Sequence, residues 1–333
     1  MSLDFLVDSS ILVTGGTGSF GQAFVKTLLI KSGAKRIIVF SRDELKQHEM
    51  KITFAEHRDR LRFFIGDVRD LDRLKRAFQG VDYVVHAAAL KQVPALEYNP
   101  TEAIKTNILG TENVVNAAIE KGVKKVLLIS TDKAANPANL YGATKLCAEK
   151  LVVNSNFYSG LGGTKLSVVR YGNVFGSRGS IIGVIAKQKA SGEITITDEK
   201  MTRFWITLDQ GIEFVLDSLN DMRGGEIFIP KIPSMGIKDL IQVCAPGCRL
   251  KYIGIRPGEK LHESLITPEE ARNVREFDNH YIIFPDYQDD KWWDESDNYI
   301  RGKEVPEGFF FASHKNDKWL DEEGLKKLLD MLE

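Results

Sequence analysis

The reactive side chains of this sequence gather in one stretch, STDKAANPANLYGATK at 130–145, where Tyr141 stands four residues before Lys145 and Lys133 directly follows Asp132. A free tyrosine ionises near ~10, too high for a base at neutral pH. An ammonium one helical turn away favours the phenolate, which can then accept a proton from a hydroxyl while hydride leaves the same carbon. Ser130, at the end of the preceding apolar run, is placed to hold that hydroxyl. This chemistry is complete without Asp132 and Lys133. A second acid–base pair beside Thr131 therefore implies a further proton transfer, or else a plain loop ion pair.

Such groups need a rigid frame, and the chain supplies one. SILVTGG reads as a strand and FGQAFVKTLLIKSG as a helix ending at Gly33. KRIIVFSR, RLRFFIGDV, VDYVVHAAA and VKKVLLIST are further strands, with DLDRLKRAFQG and one long helix from Pro100 to Gly122 among the helices between them. Short apolar β-branched runs separated by helices describe a parallel sheet covered on both faces. The expected fold is α/β, a doubly wound parallel sheet of Rossmann type, with ligands at the carboxyl ends of the strands. Residues 1–175 form this dinucleotide-binding domain. Residues 176–333, irregular and richer in Pro, Gly and aromatics, form a smaller, discontinuous substrate domain, from which later segments return to the first.

TGGTGSFG places Gly15, Gly18 and Gly21 directly after the first strand and at the head of the first helix. Glycines there admit a pyrophosphate against the backbone, and the helix start offers free N–H groups; Thr17, Ser19 and Phe20 complete the loop. The second strand ends in Ser41-Arg42, with Asp43 next and Lys46 a turn further on, where NAD sites usually carry an acid. A hydroxyl, a guanidinium and an ammonium suit a 2′-phosphate, so the expected cofactor is NADP. Asp43 could instead cap a helix. Asp67-Val68, after the third strand, is placed at the adenine edge, with a helix cap as the alternative for Asp67.

The glycine loop, Asp67-Val68, His86 with Ala87, Ala88 and Ala89, Asn107, Ser130 and the Tyr141–Lys145 pair together resemble the extended short-chain dehydrogenase/reductases that act on nucleotide sugars, from about residue 8 to 270. The resemblance implies that Tyr141 deprotonates a sugar hydroxyl while a tightly bound NADP, regenerated in each turnover, takes hydride. It also places Asn107 in the site. Retaining 4,6-dehydratases of the family carry Asp-Glu where this chain has Asp132-Lys133, a departure that resembles the inverting branch acting on UDP-N-acetylglucosamine at the start of the pseudaminic acid route. Lys133 is then the base at C5 and Asp132 the acid at O6. A lysine base must be neutral part of the time, which predicts a depressed pKa for Lys133. A C4 or C5 epimerase, a net reductase and a non-catalytic NADP-binding regulator are the alternatives.

For the UDP-sugar, RYGNVFGSRGS offers Asn173, Val174, Arg178, Gly179 and Ser180; TITDEKMTRFWIT offers Thr195, Met201 and Arg203; GIRPGEKLHESL offers Arg256 and Glu259. All three segments match positions that line the UDP pocket in the resembled family. Lys91 could reach cofactor or sugar. His86, inside an apolar strand, reads as structural, and Trp292 and Trp293 as packing or an interface. The family resemblance also implies a homo-oligomer, a dimer or a hexamer.

Bulk properties set the outer limits. A net charge of −1 argues against a nucleic-acid partner. No apolar run reaches the ~18 residues of a membrane span, and the N-terminus lacks the basic region of a secretory signal. Cys147, Cys244 and Cys248 are too few for a disulfide framework. The CAPGC pair reads as ordinary thiols rather than a metal or redox site, so a reducing cytoplasm is the expected setting.

Overall fold

The computed structural model describes residues 3–160, 162–176, 180–286 and 302–330. Six parallel strands carry the fold: β1 (Ser10–Thr14), β2 (Arg36–Ser41), β3 (Leu61–Ile65), β4 (Tyr83–His86), β5 (Lys125–Ile129) and β6 (Lys165–Val169). Their spatial order is β6-β5-β4-β1-β2-β3. β1 and β4 are fully buried along their length, which explains why they read as unbroken apolar runs. The doubly wound α/β fold expected from the sequence is the one observed.

Beyond residue 175 the chain rejoins this sheet. Ile227–Pro230 pairs in parallel with β6, and His280–Ile283, Val274–Glu276 and Lys303–Glu304 add antiparallel strands at that edge. The intervening segments build a separate small layer, in which Thr202–Ile206 lies between Asn173–Val174 and Ser234–Gly236. Its own apolar cluster includes Phe175, Ile194, Met201, Trp205 and Leu240, and Cys244 and Cys248 rest against it as free thiols.

The order reverses between β1 and β4, and there the chain opens a crevice. Gly15 ends β1 at φ +66°, and a Cβ on it would lie 2.9 Å from the Ala88 backbone that follows β4. No side chain fits between the two strand ends.

The long helix expected from Pro100 to Gly122 is present but interrupted. Ile104–Leu109 is a π-helix between Pro100–Ala103 and Gly110–Glu120. Such wide turns recur at functional sites, and this one carries Asn107. Among the described residues no helix is long and apolar enough to cross a membrane.

Candidate active site

One continuous cavity of about 850 Å³ runs along the carboxyl ends of the strands, from the glycine loop past Ser130, Thr131, Lys133, Tyr141 and Lys145 into the small layer. Its cofactor end is lined by Gly15, Thr17, Gly18, Ser19, Phe20, Gly21, Ser41, Arg42, Asp43, Lys46, Asp67, Val68, Ala87, Ala88, Ala89 and Lys91. The helix Ser19–Lys31 starts there without a side-chain cap, leaving its first N–H groups to a ligand. A cradle closed to any Cβ at Gly15 and open at a helix start fits a dinucleotide pyrophosphate.

Asp43 caps the helix Glu44–Thr53 through the Lys46 N–H and also pairs with the Lys46 ammonium. Arg42 reaches Asp67 at 3.6 Å. Asp67 caps no helix, since Asp70 takes that role; it accepts instead from Arg69 at 2.7 and 2.9 Å.

His86 is structural, as expected. Thr111 donates its hydroxyl to the Asn107 carbonyl (2.7 Å), so it must accept from His86 Nε2 (3.1 Å). That leaves Nδ1 to accept from Thr14 (2.6 Å), whose oxygen receives the Ala88 N–H (3.3 Å). Burial, with Lys145 nearby, pulls the imidazole down to about 3, so this relay stays neutral. Asn107 does not line the cavity. Its side chain accepts from Leu90 N–H (2.8 Å) and donates to the Leu90 carbonyl (2.9 Å) and to Thr144 (3.0 Å). It clamps the loop after β4 to the helix that carries Tyr141 and Lys145.

That helix, Leu140–Asn154, starts at Asn139, whose side chain accepts from the Gly142 N–H. A Cβ on Gly142 would fall 2.2 Å from the Lys133 carbonyl, so this glycine lets the helix press onto the Asp132–Ala134 turn. Tyr141, Lys145 and Glu149 follow at four-residue spacing along one face.

Here two expectations are corrected. Lys145 donates to the Ile129 carbonyl at 2.8 Å, and burial, opposed by Glu149, brings it down to about 8. Burial pushes the Tyr141 phenol up to about 12, against the pull of Lys133 and a hydrogen bond from Thr131. The charge that favours the phenolate in the protein itself is therefore Lys133, not Lys145. The hydroxyl beside it is Thr131, not Ser130. Ser130 donates to Glu149 at 2.5 Å, inside a buried network where Arg170 grips Glu149 (2.6 Å) and Glu270 (2.9 Å).

A third correction concerns Lys133. Its ammonium donates to Asp132 Oδ1 (3.0 Å) and Asn173 Oδ1 (3.4 Å) and lies 3.6 Å from Glu263 Oε1. Burial opposes the charge, but the two carboxylates outweigh it and hold Lys133 protonated well above the ordinary lysine range. The depressed pKa expected from the sequence is not found there. Asp132 is fully buried, its Oδ2 has no hydrogen-bond partner, and burial raises its pKa despite Lys133. Lys91 also moves down, through burial and the charge of Lys133.

At the far end Asn173, Val174, Ser180, Thr195, Met201, Arg203, Arg256 and Glu259 all line the cavity. Arg203 is buried and already donates to the carbonyls of Thr202, Lys260 and Leu261, so it shapes the wall as much as it offers charge. Arg178, Gly179, Trp292 and Trp293 lie outside the described residues. Sequence reasoning missed Glu149, Arg170 and Glu263. Of these only Glu149 carried a signal, the continued four-residue spacing after Tyr141 and Lys145.

The profile of the family described as polysaccharide biosynthesis protein matches residues 11–285. The chain belongs to this family. A relative from Campylobacter jejuni subsp. jejuni (strain 81-176), a UDP-N-acetylglucosamine 4,6-dehydratase (inverting), is 51% identical over 328 residues, 97% of each chain. A UDP-glucose 4-epimerase from Rickettsia akari is 42% identical, covering 97% of this chain and 96% of that one. Among solved structures, Pen from Bacillus thuringiensis superposes with a TM-score of 0.88 at 36% identity, over 98% of this chain and 99% of that one. The extended short-chain dehydrogenase/reductase resemblance seen in the motifs is thereby borne out, and this family member is an enzyme.

Proposed function

We propose that the protein dehydrates UDP-N-acetylglucosamine across C4–C6 with inversion at C5, using NADP, and gives a UDP 4-keto-6-deoxy-L-sugar of the kind that enters the pseudaminic acid route. The observation that carries this reading is the Asp132–Lys133 pair, its Asp132 fully buried, against Tyr141, on the wall of a cavity continuous with the dinucleotide cradle. The Campylobacter relative's name supports it.

Gly15, Gly18 and the start of the helix Ser19–Lys31 would hold the pyrophosphate, and Ser41, Arg42 and Lys46 the 2′-phosphate. When bound, the oxidised cofactor supplies the hydride acceptor for C4, returns hydride at C6 and adds the positive charge that brings the Tyr141 phenol down. Tyr141 then takes the O4 proton, with Thr131 orienting the hydroxyl. One proton crossing the 3.0 Å from Lys133 to Asp132 turns the ion pair into a neutral amine and a carboxylic acid, the base and acid that elimination needs. Lys133 accepts the C5 proton and Asp132 protonates the leaving O6, which departs as water. The residues are then back at the ion pair found here. Tyr141 returns the O4 proton to the opposite face of C5, and every proton is accounted for.

A C4 epimerase is the second reading, favoured by the Rickettsia relative. It would employ Tyr141 and Thr131 and leave Asp132 and Lys133 without a task. Proton NMR of UDP-N-acetylglucosamine incubated with the protein in D₂O separates the two. We expect a new methyl signal, deuterium at C5 and L-type ring couplings. Interconverting gluco and galacto forms with no methyl would replace this proposal by the epimerase.

The cofactor is tested separately. NADP is expected to bind about tenfold or more tightly than NAD, the worth of one charge-assisted contact. Arg42 is half exposed and its 3.6 Å link to Asp67 is readily given up. A fluorescence titration in which NAD bound more tightly would make Ser41, Arg42 and Lys46 bystanders.

A further inference from the structure

Glu263 lies in the GIRPGEKLHESL segment, where the sequence singled out only Arg256 and Glu259, yet it meets three cations in the interior. Its Oε1 lies 3.6 Å from Lys133 Nζ and 3.9 Å from Arg203 Nε, and its Oε2 lies 3.3 Å from Lys260 Nζ. It is 3% exposed and sits just before the strand Ser264–Ile266, so the substrate-side part of the chain delivers it to a lysine of the Rossmann domain. The other groups facing Lys133 are Asp132 on its own turn, Tyr141 from the catalytic helix, Arg203 from the small layer and Lys91 from the loop after β4.

The two carboxylates beside Lys133 differ in kind. Each keeps one buried oxygen without a hydrogen bond, but among the described residues Asp132 faces a single cation, Lys133, so it is suited to take up a proton and give it away. Glu263 is braced by Arg203 and Lys260 as well as Lys133, so it stays an anion throughout. A fixed negative charge beside an amine stabilises the ammonium that forms when the amine takes a proton from carbon.

We propose that Glu263 is the electrostatic positioning residue for the C5 step, a permanent counter-charge that strengthens Lys133 as a base while Asp132 exchanges protons with it. The proposal rests on the dehydratase reading for its kinetic consequence, but its electrostatic half can be read without any reaction.

The test uses the full chain with Glu263→Gln and Glu263→Asp. In lysine-¹⁵N NMR, with the Lys133 signal identified by its loss in Lys133→Met, we expect the Gln variant to titrate roughly one to three pH units below the wild type. The Asp variant, which keeps the charge, should stay close to the wild type. In D₂O with UDP-N-acetylglucosamine, C5 deuteration should fall roughly tenfold or more in Glu263→Gln, while reduction of the bound cofactor, followed at the nicotinamide band, keeps its rate. An unmoved Lys133 titration in the Gln variant would overturn the proposal. So would an equal fall of both rates in either variant. If Glu263→Gln does not fold, the Asp variant decides: C5 exchange lost in step with cofactor reduction means Glu263 is only structural. A wild type that makes no 6-deoxy sugar would sink the dehydratase reading and leave the Lys133 titration to judge Glu263 alone.

Discussion

Replacing Lys133 by methionine is expected to cut formation of the 6-deoxy product by two to four orders of magnitude, the usual worth of a positioned acid–base group. Methionine keeps most of the stem and removes the ammonium. Tyr141 and Thr131 remain, so the variant should still reduce its bound cofactor when given substrate, more slowly for want of the Lys133 charge beside Tyr141, stall at the C4 ketone and show no deuterium at C5. The substitution also leaves Asp132, fully buried, without its cation, and Glu263 with two of its three. Some loss of stability therefore accompanies it, and the decisive quantity is the ratio of C5 exchange to cofactor reduction. Wild-type turnover in Lys133→Met would remove Lys133 from the mechanism altogether.

The largest effect on stability is expected at Arg170. This arginine is 0% exposed and donates to Glu149 (2.6 and 3.1 Å), to Glu270 (2.9 and 3.1 Å) and to the Leu265 carbonyl (2.9 Å). Arg170→Leu strands a fully buried Glu149, and breaking a buried pair in this way costs about 3–5 kcal/mol. Urea unfolding at neutral pH measures it, and a loss below about 1 kcal/mol would contradict the assignment. The double variant Arg170→Leu with Glu149→Leu should recover part of the loss, because no isolated charge remains at that end. The pH dependence has a definite sign. Burial pushes the Glu270 carboxyl up, but Arg170 outweighs it and holds the group below its ordinary value. The stability it lends is therefore present above the unfolded pKa and is lost as the pH falls through the lower, folded one. The gap between wild type and variant should narrow in acid.

The parts of this protein visible in its sequence are those with local causes. Fully buried parallel strands must be apolar along their whole length, and β1 and β4 are. The cofactor loop is set by Gly15, whose Cβ would strike the Ala88 backbone, and by Gly21, whose Cβ would strike Gly16. What escaped was set by partners far along the chain. Nothing near Lys133 announces Glu263, 130 residues away, so the burial of the lysine was legible in kind while the sign of its pKa shift was not. The Ser130–Thr131 choice was closer to hand. Consecutive residues in extended chain face opposite ways, so only one of the two can meet Tyr141, and Ser130 turns to the Glu149 side. The π-helix has no periodicity signal at all, because one extra residue in a turn looks like ordinary helix in composition.

That wide turn separates two things that usually fail together. Losing one residue anywhere in Ile104–Leu109 would tighten it into regular α-helix, with its backbone bonds still made and the flanking segments still able to pack. The side chains within the turn would face new directions while both flanks kept theirs. Asn107 would swing away from Leu90 and Thr144, and the tie between the β4 loop and the catalytic helix would open. The segment is thus a register mark: a single-residue deletion here is expected to cost activity before it costs the fold.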